Sequence, residues 1–303
     1  MSFAPRALTP RTAALLLIPP LLWAGNAIVG RLVHELIPPL TLNFLRWLLA
    51  FVLLMPMAHR VLHRASPLWA HWKRYALLGL LGVGCYNSLQ YLALQTSTPI
   101  NVTLVASSTP VFMLGIGALF FKQVIRKRQI VGTVLSVVGV LVVLCRGDWH
   151  ALTQVQLVLG DVFVLIATAC WAWYSWLLAQ TAEPGQVRSN WAYLLMAQMA
   201  FGLVWSGLFT TAEWSGGSDV HIVWGWPLAA ALLYVAAGPS LLAYRCWGLG
   251  VQQVGPHIAG FFANLTPVFA ATLSALTLGE MPQIYHVAAF VLILGGIVVS
   301  SRK

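Results

Sequence analysis

Apolar residues run through this 303-residue chain in ten long blocks. They lie at roughly 12–33, 38–58, 72–94, 100–121, 128–145, 157–179, 189–210, 227–249, 256–278 and 282–300, and short polar intervals separate most of them. At 1.5 Å per residue, about 20 apolar residues in an α-helix cross the ~30 Å hydrocarbon core of a bilayer. Lipid offers no partner to an open backbone group, so the pattern predicts an all-α membrane protein with ten transmembrane helices. The blocks also repeat. Sliding Pro99–Leu144 forward by 157 residues lays Thr109-Pro110-Val111-Phe112 on Thr266-Pro267-Val268-Phe269, Pro99 on Pro256, Ala106 on Ala263, Val134-Leu135 on Val291-Leu292 and Gly139 on Gly296. Such self-similarity marks an internal repeat, with units at 12–145 and 157–300. Five helices per unit is an odd number, so the second unit enters the membrane from the opposite side, an inverted arrangement common among secondary transporters.

Composition agrees with the pattern: 59% of residues are apolar and 8% charged, with a mean hydropathy of +0.82. Soluble domains carry about 25% charge. The net charge of +10 does not point to nucleic acid, because the basic residues sit in short loops. Of the 17 Lys and Arg, thirteen fall at the termini and in even-numbered loops, and Arg31 and Arg146 on the other side. Arg46 and Arg245 lie inside blocks. The asymmetry places both termini in the cytoplasm. No Ser/Arg-rich transit segment precedes the first block, which favours a cell inner membrane. Ala24-Gly25-Asn26-Ala27 could be taken for a signal-peptidase site, but cleavage would remove the partner of a later helix in the repeat. The connection from Thr211 to Trp226 reads as an extracytoplasmic loop with Trp214, Trp224 and Trp226 in the interfacial belt. Cys85, Cys145, Cys170 and Cys246 read as free packed thiols.

Polar residues inside the blocks are the candidates for chemistry. Pro19 and Pro20 remove two backbone donors and are expected to kink the first helix as a hinge beside a cavity. Trp23 and Asn26 follow them, and the repeat lays Trp171 and Tyr174 on that pair, so Asn26 and Tyr174 are expected to face each other across the pseudo-twofold axis. Asn26 could equally bond a neighbouring helix. Arg46 lies about 12 Å into the second helix by helical rise, where a charge is costly unless paired or hydrated. It serves either a substrate carboxylate or a structural network, and its counterpart is approximately Gln198. Tyr86, Asn87 and Tyr91 on the third helix, and Tyr244 and Trp247 on the eighth, form polar-aromatic faces suited to a small amphipathic solute, unless Tyr91 and Trp247 belong to the interfacial belt. Arg245 reads as a snorkelling anchor. Ser108 and Asn264 sit beside Pro110 and Pro267, candidate hinges of the fourth and ninth helices, where permanent kinks are the alternative. Gly79, Gly82 and Gly84 read as helix packing rather than a phosphate loop, and His59 and His63 lack a third ligand, so no metal and no cofactor are expected. None of the seven acids is mid-helix, and Glu213 and Asp219 are assigned to loops. The pattern offers no titratable residue suited to proton coupling, which favours facilitated exchange.

Ten spans in two halves, Trp23-Ala24-Gly25-Asn26 followed by Arg46, and Asn264-Leu265-Thr266-Pro267-Val268-Phe269 running into Leu278-Gly279-Glu280 resemble the EamA family of the drug/metabolite transporter superfamily. The resemblance implies a carrier working by alternating access around a cavity between helices 1, 3, 4, 6, 8 and 9, with metabolites such as amino acids moving mostly outward. The family's signatures map onto Trp23, Asn26, Arg46, Pro110, Trp171, Pro267 and Glu280. The chain departs from the family at Lys122-Gln123, where the first copy usually has Gly-Glu. The reading is therefore a transporter rather than an enzyme, exporting small amphipathic metabolites with amino acids first. Uptake, a channel and a membrane enzyme are the alternatives. Its partners are a small-molecule substrate and the lipid bilayer, not nucleic acid, and monomer and homodimer both stay open.

Overall fold

The computed structural model describes residues 7–97, 102, 105–154, 158–180, 185–216, 221–278 and 283–302. Among them every regular element is helical. In chain order the main helices are α1 (Pro10–Leu32), α2 (Pro39–Ala58), α3 (Trp72–Thr96), α4 (Thr109–Phe121), α5 (Lys127–Leu144), α6 (Leu159–Ala179) and α7 (Trp191–Gly216). They continue with α8 (Trp226–Val254), α9 (Pro256–Ala263), α10 (Thr266–Leu278) and α11 (Ile284–Ser301). All but α4, α9 and α10 are long and apolar enough to span a bilayer, eight helices among the described residues. Their outer faces are apolar and open, as at Leu119 (78% exposed) and Ile284 (83%), a surface that only lipid makes favourable.

The fourth and ninth apolar blocks are each interrupted beside the Thr-Pro expected to bend them. The chain turns at Ser107-Ser108 and at Asn264-Leu265, and a new helix begins at each Thr-Pro. Pro110 and Pro267 therefore stand in first turns, where the missing N–H would have had no helical partner anyway. Each proline opens the helical segment that follows the interruption. Hydroxyls take up carbonyls beside the breaks: Ser108 donates to Val105 O (2.5 Å), Thr109 to Ala106 O (2.6 Å) and Thr266 to Ala263 O (2.7 Å). Pro19 and Pro20 are buried within α1 and leave it one continuous helix.

The seventh helix runs past its apolar block, so Glu213 and Trp214 are helical and not in the expected loop. The reason lies in another helix. No side chain of its own caps α2, whose N-cap is Pro38, and Glu213 accepts from Leu40 N (2.9 Å), Thr41 N (2.8 Å) and the Thr41 hydroxyl (2.7 Å). A carboxylate there satisfies orphan donors and meets the positive end of the helix dipole.

Two further devices shape the interior. Both α3 and α8 contain a π-helical segment, Leu80–Cys85 and Ala236–Leu242, and the 157-residue shift superimposes them. Helices α5 and α11 pack backbone to backbone: a Cβ on Gly132 would lie 2.6 Å from Gly296 O, and one on Gly139 would lie 2.9 Å from Ala289 O. Gly139 and Gly296 are repeat equivalents, as are Gly132 and Ala289, so the contact is reciprocal. Pro99, Glu183, Asp219 and Glu280 lie outside the described residues.

Candidate functional site

The wide turns of α3 and α8 organise the centre of the bundle. A π turn stretches the hydrogen-bond ladder and leaves carbonyls open to side chains, which is why such turns gather at functional sites. In α3 the Asn43 amide of α2 donates to Val83 O (3.0 Å) and the Tyr244 hydroxyl of α8 to Gly82 O. In α8 the Ser240 hydroxyl donates to Val235 O (2.8 Å). Ser240 is thereby held with its oxygen open to Arg46.

Arg46 of α2 is fully buried. Its Nε donates to Ser240 Oγ (2.9 Å), and Nη1 faces the Tyr91 hydroxyl (2.8 Å), Asn87 Oδ1 (3.2 Å) and Asn26 Oδ1 (3.3 Å). Tyr91 also donates to Asn26 Oδ1 (3.1 Å), and the Asn87 amide to the Tyr244 hydroxyl (3.1 Å). Every partner is neutral. Nη2 has no hydrogen-bond partner, and no carboxylate pairs with Arg46 among the described residues. A guanidinium presents five donors in a planar fork, so one corner of the fork stays unused.

Beside this polar layer lies an aromatic one with Trp171 of α6 as its hub. Tyr86 (4.5 Å) and Tyr174 (5.1 Å) stack on Trp171, Trp23 meets it edge-on at 5.2 Å, and Trp247 and Tyr244 both lie 5.3 Å away. Trp247 is held through Ser175, to whose hydroxyl its indole donates (3.0 Å). The Trp171 indole N–H is itself buried without a partner among the described residues. On the far side the Tyr174 hydroxyl donates to Gln198 Oε1 (2.8 Å). A cavity of about 30 Å³ touches Tyr174, Gln198 and Tyr244, enough for about two waters.

The structure thus gathers Trp23, Asn26, Arg46, Tyr86, Asn87, Tyr91, Trp171 and Tyr174 into one centre. Asn26 and Tyr174 share no hydrogen bond among the described residues. Each instead bonds the residue that the repeat pairs with the other's partner: Asn26 holds Arg46, and Tyr174 holds Gln198. Tyr91 and Trp247 are buried in the centre and not at the interface, whereas Arg245 is exposed, with its guanidinium 4.6 Å from the Trp191 ring. Ser108 and Asn264 stay outside. Among the described residues Ser108 bonds only its own turn, and the Asn264 amide donates to Ser107 O (3.2 Å) and Ser136 Oγ (2.9 Å), tying the two helix breaks together. Ser240, Asn43 and Gln198 complete the centre. The one cue for Ser240 was its place after Pro239 within a spanning block.

An envelope open to lipid, with a buried cation and an aromatic box inside it, defines a multi-pass membrane protein built around a site of small-molecule size. The model of the EamA-like transporter family matches residues 11–145 and again 158–302, and the chain belongs to that family. It is a transporter of the cell's inner membrane, not an enzyme. Relatives carry matching names. An uncharacterized transporter of Archaeoglobus fulgidus is 25% identical over 97% of this chain and 98% of its own. The inner membrane transporter YedA of Escherichia coli K12 is 24% identical over 93% and 88%. A Salmonella typhimurium protein named "probable amino-acid metabolite efflux pump" is 24% identical over 92% and 90%. A solved crystal structure shares the fold, with a TM-score of 0.72 at 19% identity over 96% of each chain.

Proposed function

We propose that the chain is a secondary transporter that exports small amphipathic metabolites, amino acids or close relatives, by alternating access around the Arg46 centre. The observation that carries this reading is the buried guanidinium with neutral partners and an unused Nη2. A substrate carboxylate would take that corner of the fork, and charge-assisted bonds of this kind are the stronger class. The aromatic layer around Trp171 would take the apolar part of the substrate. The relative named for amino-acid metabolite efflux supports the same substrate class.

Ten spans in two inverted halves with cytoplasmic termini give this centre its route to both sides. Repeat partners that bond one another support the inversion: Asn87 with Tyr244, and Ser107 with Asn264, each pair 157 residues apart. A twofold-related pair of halves can exchange conformations, opening the centre first to one side and then to the other. The cavity of about 30 Å³ is far below the 300 Å³ or more of ordinary ligand sites, so the centre must expand to load.

Counterflow tests the reading. Proteoliposomes preloaded with neutral and aromatic amino acids should transiently accumulate a labelled tracer with no ion gradient imposed, and the uptake should saturate. Absence of accumulation across that pool, from folded protein, would reject the substrate class.

A further inference from the structure

A second site lies at the end of the bundle where α4 and α11 finish and α5 and α9 begin. It is a pocket of about 650 Å³, and the residues around it include Lys122, Arg126, Gln129, His257, Ser300 and Arg302. Three of these are cations, exposed on the pocket side, with no ion pair among the described residues. Every described acid, Glu35, Asp148, Asp161 and Glu213, follows α1, precedes or starts α6, or ends α7, which puts all four at the opposite end of the bundle. His257 is nine-tenths buried against the pocket, and its Nδ1 has no hydrogen-bond partner among the described residues. Basic loop residues at a cytoplasmic face are expected from topology alone. Topology does not require a pocket, a polar wall or a buried imidazole with an idle nitrogen.

The repeat isolates what is special here. At the equivalent place the second copy reads Gly279-Glu280, where the first reads Lys122-Gln123, so the charge of the pair changes from −1 to +1. Lys122 holds φ 54, a left-handed conformation that closes α4 and that glycine adopts far more easily. A lysine placed where glycine is favoured, next to an acid turned into its amide, converts a helix end into a cationic lip. Val124 (83% exposed) lines the pocket, and Leu119 (78%) and Phe120 (59%) in the last turn of α4 extend an apolar flank toward the membrane.

We infer that this pocket binds a phosphate group, supplied by the headgroup of an anionic phospholipid or by soluble phosphate. Basic pockets between spanning helices are suited to such headgroups. Lys122, Arg126 and Arg302 supply the charge, Gln129, Ser300 and His257 supply polar partners, and the apolar flank suits acyl chains. The site is separate from the Arg46 centre and does not depend on the transport reading.

The test is thermal unfolding of the full-length protein in neutral detergent, titrated separately with inorganic phosphate, short-chain phosphatidylglycerol and short-chain phosphatidylcholine. Phosphatidylglycerol should raise the midpoint saturably and phosphatidylcholine should not. The half-saturating concentration should rise about fivefold for each pocket cation removed, in Lys122→Gly and in Arg302→Gln. Neither variant threatens the fold, since glycine relieves the left-handed residue and Arg302 lies beyond the last helical turn. An equal response to inorganic phosphate assigns a soluble source, and its absence assigns the lipid. Arg60→Gln, an exposed cation that does not line the pocket, is the control. No response to either anion, saturation unchanged in both pocket variants, or equal weakening in the control would overturn the inference.

Discussion

Burying Arg46 costs this protein several kcal/mol, because a guanidinium leaves water and meets only neutral oxygens. The three N–H groups of Nε and Nη1, shared among four oxygens, offset part of the cost, and an anion would offset the rest. Arg46→Gln separates a binding role from a scaffold role, since glutamine is what the second half carries at the counterpart, Gln198. Transport should fall by about 10²-fold, in line with the 2–5 kcal/mol lost when one partner of a buried charged contact is removed. Thermal stability without substrate should stay within about 1 kcal/mol or rise, as it often does when a buried charge gives way to a neutral group. Arg46→Lys should not restore transport, because an ammonium lacks the planar fork. A scaffold role would give the reverse pattern: stability lower by 3–5 kcal/mol and transport per folded molecule unchanged. This residue was legible in the sequence, since a charge within an apolar block has few innocent explanations. Ser240 was not, because a serine in a spanning helix ordinarily packs or bonds its own backbone.

At the scale of helices, the tightest dependence on sequence is between α5 and α11. A side chain on Gly132 would meet backbone, which cannot move aside as a flexible side chain can. Gly132→Val should therefore cost about 3 kcal/mol, at the upper end for overpacking, and lower the thermal midpoint. Gly295→Ala is the matched control, for none of the described residues comes within 4 Å of its added Cβ, and it should be neutral or slightly stabilising. An equal loss in both variants would show that the close approach is not what the glycines serve. The eight long helices were legible because uninterrupted apolar blocks of that length have one ordinary outcome. The interruptions at Ser107-Ser108 and Asn264-Leu265 were legible from the adjacent Thr-Pro, but that a new helix starts there, with proline in its first turn, was not. Glu213 was assigned to a loop because its reason for being helical, the uncapped start of α2, lies about 170 residues away in sequence. The same limit explains Ser108 and Asn264, whose polarity serves the breaks themselves.

Taken whole, the molecule places a charged pair, Arg46 with Asn26, in one half and a neutral pair, Tyr174 with Gln198, at the equivalent place in the other. Asn26 lies about 9 Å from the end of α1 and Gln198 about 10 Å from the start of α7, at opposite depths of the membrane. Alternating access predicts that cysteines at these two positions, in a background lacking the four native thiols, are labelled by an impermeant reagent from opposite sides. Saturating substrate should move the two rates in opposite directions. Rates that rise and fall together would indicate a continuous pore. The matched π turns of α3 and α8 bear on the molecule's past as well as its centre. A π turn is one residue inserted into an α-helix, and two insertions at the same repeat position are most economically explained as one. The insertion then belongs to the half-length ancestor, before its gene was duplicated and joined to itself. Asn87 and Tyr244, 157 residues apart and bonded to one another, are one position of the repeat meeting its own copy across the two halves.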